Sequence, residues 1–139
     1  MIMGGSAMSE RNIHILLVED EEAHVELIRR AFEIQEPMPR LTVAPRLDEA
    51  IQCVEEADPD IVFVDSTLPD GRGVDLIGQW ATSHGATFPI VLMTSQDDSK
   101  LAEEATKAGA FRYMVKSPMS LLEIPDFVEH TLVEWTKRS

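Results

Sequence analysis

Five polar or charged residues in this sequence share one feature. Each stands at the end of a short apolar run of the kind that forms a buried β-strand. These residues are Glu19, Asp20, Asp65, Thr94 and Lys116. Asp65 is the clearest example, because it follows Ile61–Val64 and precedes the turn-forming sequence Leu-Pro-Asp-Gly-Arg-Gly. A charge at the end of a buried strand is costly, so we expect Asp65 either to cap a turn or to do chemistry.

Three of these residues are carboxylates, and together they predict a cation site. Two carboxylates about 4 Å apart repel each other by roughly 4 kcal/mol at an effective dielectric constant near 20. Glu19, Asp20 and Asp65 would therefore need a positive partner if they converged. Oxygen ligands favour a hard cation, and an open carboxylate site suits Mg²⁺, which keeps several water ligands.

The histidines do not suggest a different metal. Their spacing does not match a metal-ligand motif, and we interpret all four as structural or surface residues. They are His14, His24, His84 and His130.

A metal beside a carboxylate, a hydroxyl and a lysine is suited to phosphoryl transfer, a reaction that depends on charge neutralisation and positioning. An aspartate can itself be the nucleophile, and Asp65 would then become an aspartyl phosphate. Lys116 would shield the incoming oxygens from the acids, and Thr94 would donate a hydrogen bond to one of them. Taken alone, Asp65 could be a turn residue and Lys116 a surface lysine. The position of all five residues at strand ends favours a shared site.

The elements that must position these residues are predicted from hydrophobic periodicity. Five β-rich runs alternate with five helical patterns, at spacings suited to right-handed crossovers. The predicted strands are 13–18, 41–44, 61–64, 89–93 and 111–115. The helical patterns cover 23–32, 47–54, 74–81, 101–108 and 124–135, and the third helix is expected to end near Gly85. Apolar strands of this kind are typical of a parallel sheet buried on both faces. We therefore predict a doubly wound α/β sandwich with its site at the carboxyl ends of the strands.

Charge and composition exclude several classes of function. The chain has 25 acidic and 12 basic residues, and its net charge of −13 repels nucleic acid and anionic membranes. We find neither an apolar run long enough to cross a bilayer nor the pattern of a secretion signal. The single cysteine, Cys53, rules out an internal disulfide and fits a reducing compartment. We predict a cytoplasmic protein without a nucleic-acid or membrane partner.

The chemistry-bearing segments match the pattern of a known family. The sequence resembles the receiver domain of bacterial two-component response regulators, the chemotaxis-type phosphoacceptor domain. The matching segments are LLVED at 16–20, DSTLPDGRG at 65–73, VLMTS at 91–95 and YMVK at 113–116. The resemblance covers about residues 12–137. It implies a flavodoxin-like three-layer sandwich with five helices and a five-stranded parallel sheet in the order 2-1-3-4-5.

The resemblance also implies roles at the site. Asp65 would be the phosphoacceptor, and Lys116 would contact the phosphoryl group. Glu19 and Asp20 would form the acidic pair that holds Mg²⁺ together with Asp65. The backbone carbonyl of Thr67 would be a further metal ligand.

A switch and its partners are implied as well. Thr94 would be the switch hydroxyl and Tyr113 the switch aromatic; the alternative for Tyr113 is an ordinary half-buried strand aromatic. The phosphoryl donor would be a histidine kinase or a phosphotransfer protein. A surface within 98–137 would bind a downstream protein or a second copy of the chain. The protein would be a signalling domain rather than an enzyme, apart from self-catalysed phosphorylation and dephosphorylation at Asp65.

Two positions depart from the family pattern. The family usually has proline directly after its lysine, whereas this chain has Ser117 between Lys116 and Pro118. We therefore expect a different loop after the fifth strand, where a cis bond before Ser117 would cost about 3 kcal/mol. Glu19 replaces the commoner aspartate with a longer side chain that still supplies an oxygen.

The boundaries and several alternatives complete the predictions. Residues 1–10 are expected to be a flexible leader or tag remnant, and 11–139 a single receiver domain. The chain could instead be a non-phosphorylated receiver-like interaction module, or the excised N-terminal receiver of a longer sensor kinase. A flavodoxin-like electron carrier is disfavoured because the acidic loop after the first strand would repel the FMN phosphate. A haloacid-dehalogenase-type phosphohydrolase is disfavoured because Thr67 stands where that family needs a second acid.

Overall fold

The computed structural model describes residues 12–84 and 87–138, with the side chain of His84 left aside. Its strands, in chain order, are β1 His14–Val18, β2 Arg40–Ala44, β3 Ile61–Asp65, β4 Thr67–Leu68, β5 Gly71–Arg72, β6 Ile90–Thr94 and β7 Arg112–Val115. Its helices are α1 Glu22–Glu33, α2 Leu47–Glu56, α3 Gly73–His84, α4 Ser99–Ala108, α5 Pro118–Leu122 and α6 Ile124–Lys137. The predicted leader at 1–10 and the predicted helix end at Gly85 lie outside the described residues.

The five long strands form one parallel sheet in the order β2-β1-β3-β6-β7. Counted without the two short strands, this is the predicted order 2-1-3-4-5, which is confirmed. Val18 pairs with Val64 and Asp65 with Met93. This register brings the carboxyl ends of β1, β3 and β6 to the same edge of the sheet, as the doubly wound topology requires.

Alternation along the strands divides the core into two layers, because successive side chains of a strand point to opposite faces. On one face Ile15, Leu17 and Phe63 join a cluster with residues of α1 and α6. On the other face Leu16 and Val64 join a cluster with residues of α2, α3 and α4. Both faces of the sheet are therefore buried, and the predicted three-layer sandwich is confirmed.

The described residues contain six helices rather than the five predicted. The additional helix is α5, and it lies in the loop that was expected to depart from the family. Ser117 is its N-cap: the Ser120 backbone N–H donates to Ser117 Oγ at 3.0 Å, and Ser120 Oγ accepts from the Ser117 N–H at 2.9 Å. Pro118 follows at the first helical position, where a missing N–H does no harm. The serine cap followed by proline is a helix-start signal that the sequence analysis did not use.

The peptide bond between Lys116 and Ser117 is trans, since the one cis peptide bond among the described residues joins Glu36 and Pro37.

A second unpredicted feature is the β4–β5 hairpin, which directly follows Asp65. Its turn is attached to α2 through Asp70, whose two carboxylate oxygens accept from the Leu47 N–H at 2.8 Å and the Asp48 N–H at 3.2 Å. The turn after Asp65 is thus held by the free N–H groups of a helix end.

Candidate functional site

The carboxyl ends of the strands enclose a recess of about 260 Å³ that collects most of the predicted residues. We call it the acidic recess. Its lining residues are Glu19, Asp20, Glu21, His24, Asp65, Ser66, Thr67, Ser95 and Lys116. The residues come from the ends of β1, β3, β6 and β7, from the hairpin and from the first turn of α1. Side chains distant in sequence therefore meet because parallel strands end at one edge.

The three acids lie close together at the floor and rim of the recess. Glu19, Asp20 and Asp65 each offer a carboxylate oxygen within 4.8 Å of the other two. Glu19 and Asp65 are buried, with 1% and 8% of their surface exposed, whereas Asp20 is exposed. The Glu21 backbone N–H donates to Glu19 Oε2 at 3.1 Å and fixes that side chain in the recess.

Lys116 reaches into the recess from the end of β7 and contacts both buried acids. Its Nζ lies 2.9 Å from Glu19 Oε1 and 3.1 Å from Asp65 Oδ1. Burial alone would lower the pKa of Lys116, but the hydrogen bond from Lys116 to Glu19 and the charges of both acids outweigh it and raise that pKa above its ordinary value. The ammonium is therefore charged and partly offsets two buried carboxylates.

The negative charge of the Asp65 carboxylate is only partly neutralised by its neighbours. Burial, and then the charge of Glu19, raise the pKa of Asp65 to about 6, although Lys116 and the Ser66 backbone N–H act in the opposite direction. The recess therefore holds one more buried negative charge than its lysine neutralises. Three carboxylates around this excess of negative charge fit a hard divalent cation such as Mg²⁺.

His24 is a member of the site that the sequence analysis missed. Its Nδ1 lies 3.1 Å from Lys116 Nζ and 3.7 Å from Glu19 Oε1. The sequence alone led to the interpretation of His24 as a structural or surface residue, and the structure places it in the lining of the acidic recess. The available signal was its position just after the acidic pair, in the first turn of the helix that follows β1.

A glycine allows the hairpin to close over the acceptor strand. A Cβ atom on Gly73 would lie 2.2 Å from the carbonyl oxygen of Asp65, closer than any side chain can approach. The Gly73 N–H also donates to the Ser66 carbonyl at 3.1 Å. The glycine eight residues after Asp65 is thus needed for close backbone packing, and this packing positions Thr67 at the recess.

Thr94 and Tyr113 lie beside the recess rather than in its lining. Thr94 is buried at the end of β6, and the Lys116 backbone N–H donates to its carbonyl at 2.7 Å. Tyr113 is half-buried on β7. Its hydroxyl accepts from the Asp98 N–H at 3.1 Å and donates to the Gln96 carbonyl at 3.3 Å. The aromatic side chain therefore contacts the loop between Thr94 and α4.

A bidentate ion pair joins the hairpin to α4. Arg72 Nη1 donates to Glu104 Oε2 at 3.0 Å, and Nη2 donates to Glu104 Oε1 at 2.8 Å. Both side chains are about half exposed. The segment that follows Asp65 thus has a direct side-chain connection to a helix of the predicted output surface.

The comparisons with known proteins agree with this geometry. The family model described as "Response regulator receiver domain" matches residues 15–126. The methanogenesis regulatory protein FilR1 of Methanothrix harundinacea (strain 6Ac) is 37% identical over 123 residues, covering 87% of this chain and 28% of that protein. The transcriptional regulatory protein DpiA of Escherichia coli (strain K12) is 32% identical over 108 residues, covering 73% of this chain and 45% of that protein. The chain spans less than half the length of these curated relatives.

Solved structures share the fold. The phosphorylated cyanobacterial phytochrome response regulator RcpA superposes with a TM-score of 0.80 at 19% identity, over 88% of this chain and 95% of that one. A LuxR-family two-component response regulator from Aurantimonas sp. SI85-9A1 superposes with a TM-score of 0.78 at 30% identity, over 89% and 87%. None of the helices in the described ranges has the length and apolar content needed to span a membrane. Sequence match and architecture agree, and the chain belongs to the receiver-domain family of two-component response regulators.

Proposed function

We propose that Asp65 accepts a phosphoryl group from a histidine kinase, a phosphotransfer protein or a small donor such as acetyl phosphate. The observation that carries this proposal is the position of the Asp65 carboxylate. It is buried at the end of β3, with two further acids beside it and the Lys116 ammonium 3.1 Å away. A pKa of about 6 leaves Asp65 largely ionised at neutral pH, as a nucleophile must be.

The transfer exchanges one bond to phosphorus for another. A lone pair of an Asp65 carboxylate oxygen forms the new P–O bond, while the bond from phosphorus to the donor breaks. With a phosphohistidine donor, the departing imidazole nitrogen keeps the bonding electrons and then takes a proton from solvent. The product is an acyl phosphate on Asp65. Subsequent attack by water on phosphorus would release inorganic phosphate and restore the carboxylate.

The residues around Asp65 suit the charge changes of this reaction. Glu19, Asp20, Asp65 and the Thr67 carbonyl would hold Mg²⁺, which when bound supplies positive charge against the phosphoryl oxygens and the acids. Lys116 would donate to a phosphoryl oxygen instead of to the Asp65 carboxylate. The Thr94 hydroxyl, at the end of the adjacent strand, would donate to another.

The proposed output is a change in the surface formed within 98–137. An aspartyl phosphate adds up to two negative charges and strong acceptors at the recess. Thr94 would move toward these acceptors, and Tyr113 would turn into the space that Thr94 leaves. This change would alter α4, β7 and α6, which would bind a downstream protein or a second copy of the chain. Phosphorylation must favour the altered state by a few kcal/mol to change its population substantially.

The proposal includes a cytoplasmic location, residues 11–139 as a single domain, and no nucleic-acid or membrane partner for this domain. The net charge of −13 of the whole chain supports the last point. Because the chain covers 28% and 45% of two longer regulators, the receiver of a longer sensor kinase is an alternative context for the same chemistry.

Intact mass spectrometry after incubation with acetyl phosphate and Mg²⁺ tests the proposal. The wild-type mass should increase by one phosphoryl group, and the mass of Asp65→Asn should not. An equal increase in both proteins would place the modification on another residue. No increase in the wild type, with either acetyl phosphate or a panel of phosphorylated histidine donors, would favour the non-phosphorylated interaction module.

A further inference from the structure

We propose that His24 is a positioning residue for Lys116. Its imidazole holds the Lys116 ammonium at the acidic recess while Glu19 and Asp65, the other two partners of that ammonium, take part in the reaction. This inference rests on the proposed phosphoryl transfer at Asp65, and it adds a residue outside the predicted set.

Three acceptor atoms surround the ammonium of Lys116. A lysine has three N–H donors and no acceptor. The three acceptors around Nζ are Glu19 Oε1 at 2.9 Å, Asp65 Oδ1 at 3.1 Å and His24 Nδ1 at 3.1 Å. Because a charged ammonium can only donate, Nδ1 must be the acceptor, and the ring proton lies on Nε2. The number of acceptors around Nζ thus equals the number of its N–H donors.

Two of the three acceptors have further roles in the proposed reaction. Glu19 and Asp65 belong to the acid cluster that suits a divalent cation. Asp65 also forms the new bond to phosphorus, after which its oxygens carry less negative charge. His24 is the partner of Lys116 that neither belongs to that cluster nor reacts. Its hydrogen bond can therefore persist while the other two weaken.

The placement of His24 suits this role. It lies in the first turn of α1, whose buried residues Ile28, Ala31 and Phe32 anchor the helix to the sheet. Its side chain is 27% exposed, so it closes one side of the recess without being sealed in the core. Lys116 has a flexible stem with many rotamers. An acceptor carried by an anchored helix restricts that freedom before the phosphoryl group arrives.

The required feature is an acceptor atom at the place of Nδ1, not a histidine as such. Asparagine carries its side-chain oxygen the same number of bonds from Cα as Nδ1 and can accept from Lys116. Leucine has a similar bulk but cannot accept. His24→Asn and His24→Leu therefore separate a hydrogen-bonding role from a packing role.

The experiment compares phosphorylation rates with a small donor, which avoids effects on kinase docking. Rates of mass increase with acetyl phosphate and Mg²⁺ are measured for wild type, His24→Asn, His24→Leu and the control His14→Leu. His14 is at the opposite end of β1, where Nε2 lies 2.9 Å from Thr42 Oγ1. We expect His24→Leu to be slower by about tenfold, the loss expected from one hydrogen bond to a charged group. His24→Asn and His14→Leu should remain within about twofold of wild type.

A second measurement does not depend on phosphorylation. Nitrogen-15 spectra of the metal-free protein should show a slowly exchanging Lys116 ammonium in wild type and His24→Asn. His24→Leu should broaden or shift this signal, with thermal unfolding as the check that the variant is folded.

Two results would overturn the inference. One is an unchanged Lys116 signal or an unchanged rate in His24→Leu. The other is an equal loss in His24→Asn and His24→Leu, which would indicate a packing role. If wild type is not phosphorylated, the proposed function fails, and the ammonium spectra still decide whether His24 holds Lys116.

Discussion

Glu19 Oε1 accepts a 2.9 Å hydrogen bond from Lys116 Nζ, although the two residues are 97 positions apart in the chain. The bond joins the carboxyl ends of β1 and β7. The two strands are not neighbours in the sheet, since β3 and β6 lie between them. Asp65, at the end of β3, lies 3.1 Å from the same ammonium. The balance of charge among these three residues leads to the first prediction.

Asp65→Asn should stabilise the metal-free protein at neutral and higher pH. The folded-state pKa of Asp65 is raised to about 6, so the fold prefers the protonated carboxyl. The stability that the protonated Asp65 carboxyl contributes in wild type is fully present below the ordinary pKa of 3.8 and is lost as the pH rises through about 6. The gain from Asn should therefore be small near pH 4 and reach a few kcal/mol at most near pH 8, since each pKa unit corresponds to about 1.4 kcal/mol. Urea unfolding with a chelator at several pH values measures it.

Glu22→Gln is the matched control for this prediction, because Glu22 is exposed at the start of α1. Its effect on the free energy of unfolding should be small at both pH values, as at most exposed surface positions. A gain from Asp65→Asn that is the same at low and high pH would contradict the prediction.

Mg²⁺ should bind at the acidic recess with modest affinity, because the ion keeps several water ligands. Asp20→Ala removes an exposed acid of the cluster without opening the core and should weaken binding by about tenfold or more, equivalent to about 1.4 kcal/mol. Titration calorimetry measures the change. Asp75→Ala removes an exposed acid of α3 outside the recess and should leave the affinity unchanged. Equal affinities in wild type and Asp20→Ala would move the metal to another place.

Gly73→Ala should destabilise the protein, because its Cβ would lie 2.2 Å from the carbonyl oxygen of Asp65. Relieving this contact requires a shift of the backbone, and we expect a loss of about 2 to 3 kcal/mol. Gly78→Ala is the matched control, since a Cβ there meets nothing within 4 Å. Alanine should stabilise α3 at that position by up to about 1 kcal/mol. Urea unfolding of both variants tests the pair, and a loss of the same size at both positions would contradict the close-packing argument.

Beryllofluoride, a phosphoryl mimic, should change the environment of the Asp98 backbone amide. That amide donates to the Tyr113 hydroxyl at 3.1 Å, and it would lose this acceptor if the ring turned inward. Tyr113→Phe, without the mimic, should reproduce part of the change because it removes the same hydroxyl. Amide chemical shifts provide the measurement. An Asp98 signal that responds to Tyr113→Phe but not to beryllofluoride would show that Tyr113 does not switch.

The Arg72–Glu104 ion pair should carry part of the response from the hairpin to α4. In wild type, beryllofluoride should shift amide signals of α4, and Arg72→Gln should reduce these shifts while preserving those of the recess. Arg30→Gln, which removes an exposed ion pair with Glu26 on α1, should leave the α4 response intact. Undiminished α4 shifts in Arg72→Gln would mean that the connection between the recess and α4 runs through another contact.

Local patterns were sufficient for the architecture and for the acids of the site. Strand ends are marked by a change from apolar to polar residues within the chain itself, and parallel strands bring those ends to one edge. Asp65, Glu19 and Lys116 could therefore be assigned to one place before their distances were known. The order of the five long strands followed from the resemblance that these same segments carry.

Contacts between elements could be decided only by the tertiary structure. His24 meets Lys116 across 92 residues, and the contact depends on the rotation of α1 over the sheet, which a helical pattern does not specify to within a few ångströms. The Arg72–Glu104 pair likewise depends on a hairpin too short for period-2 alternation to reveal. The pKa of Asp65 depends on burial and on Glu19 together, and both quantities exist only once the chain has folded.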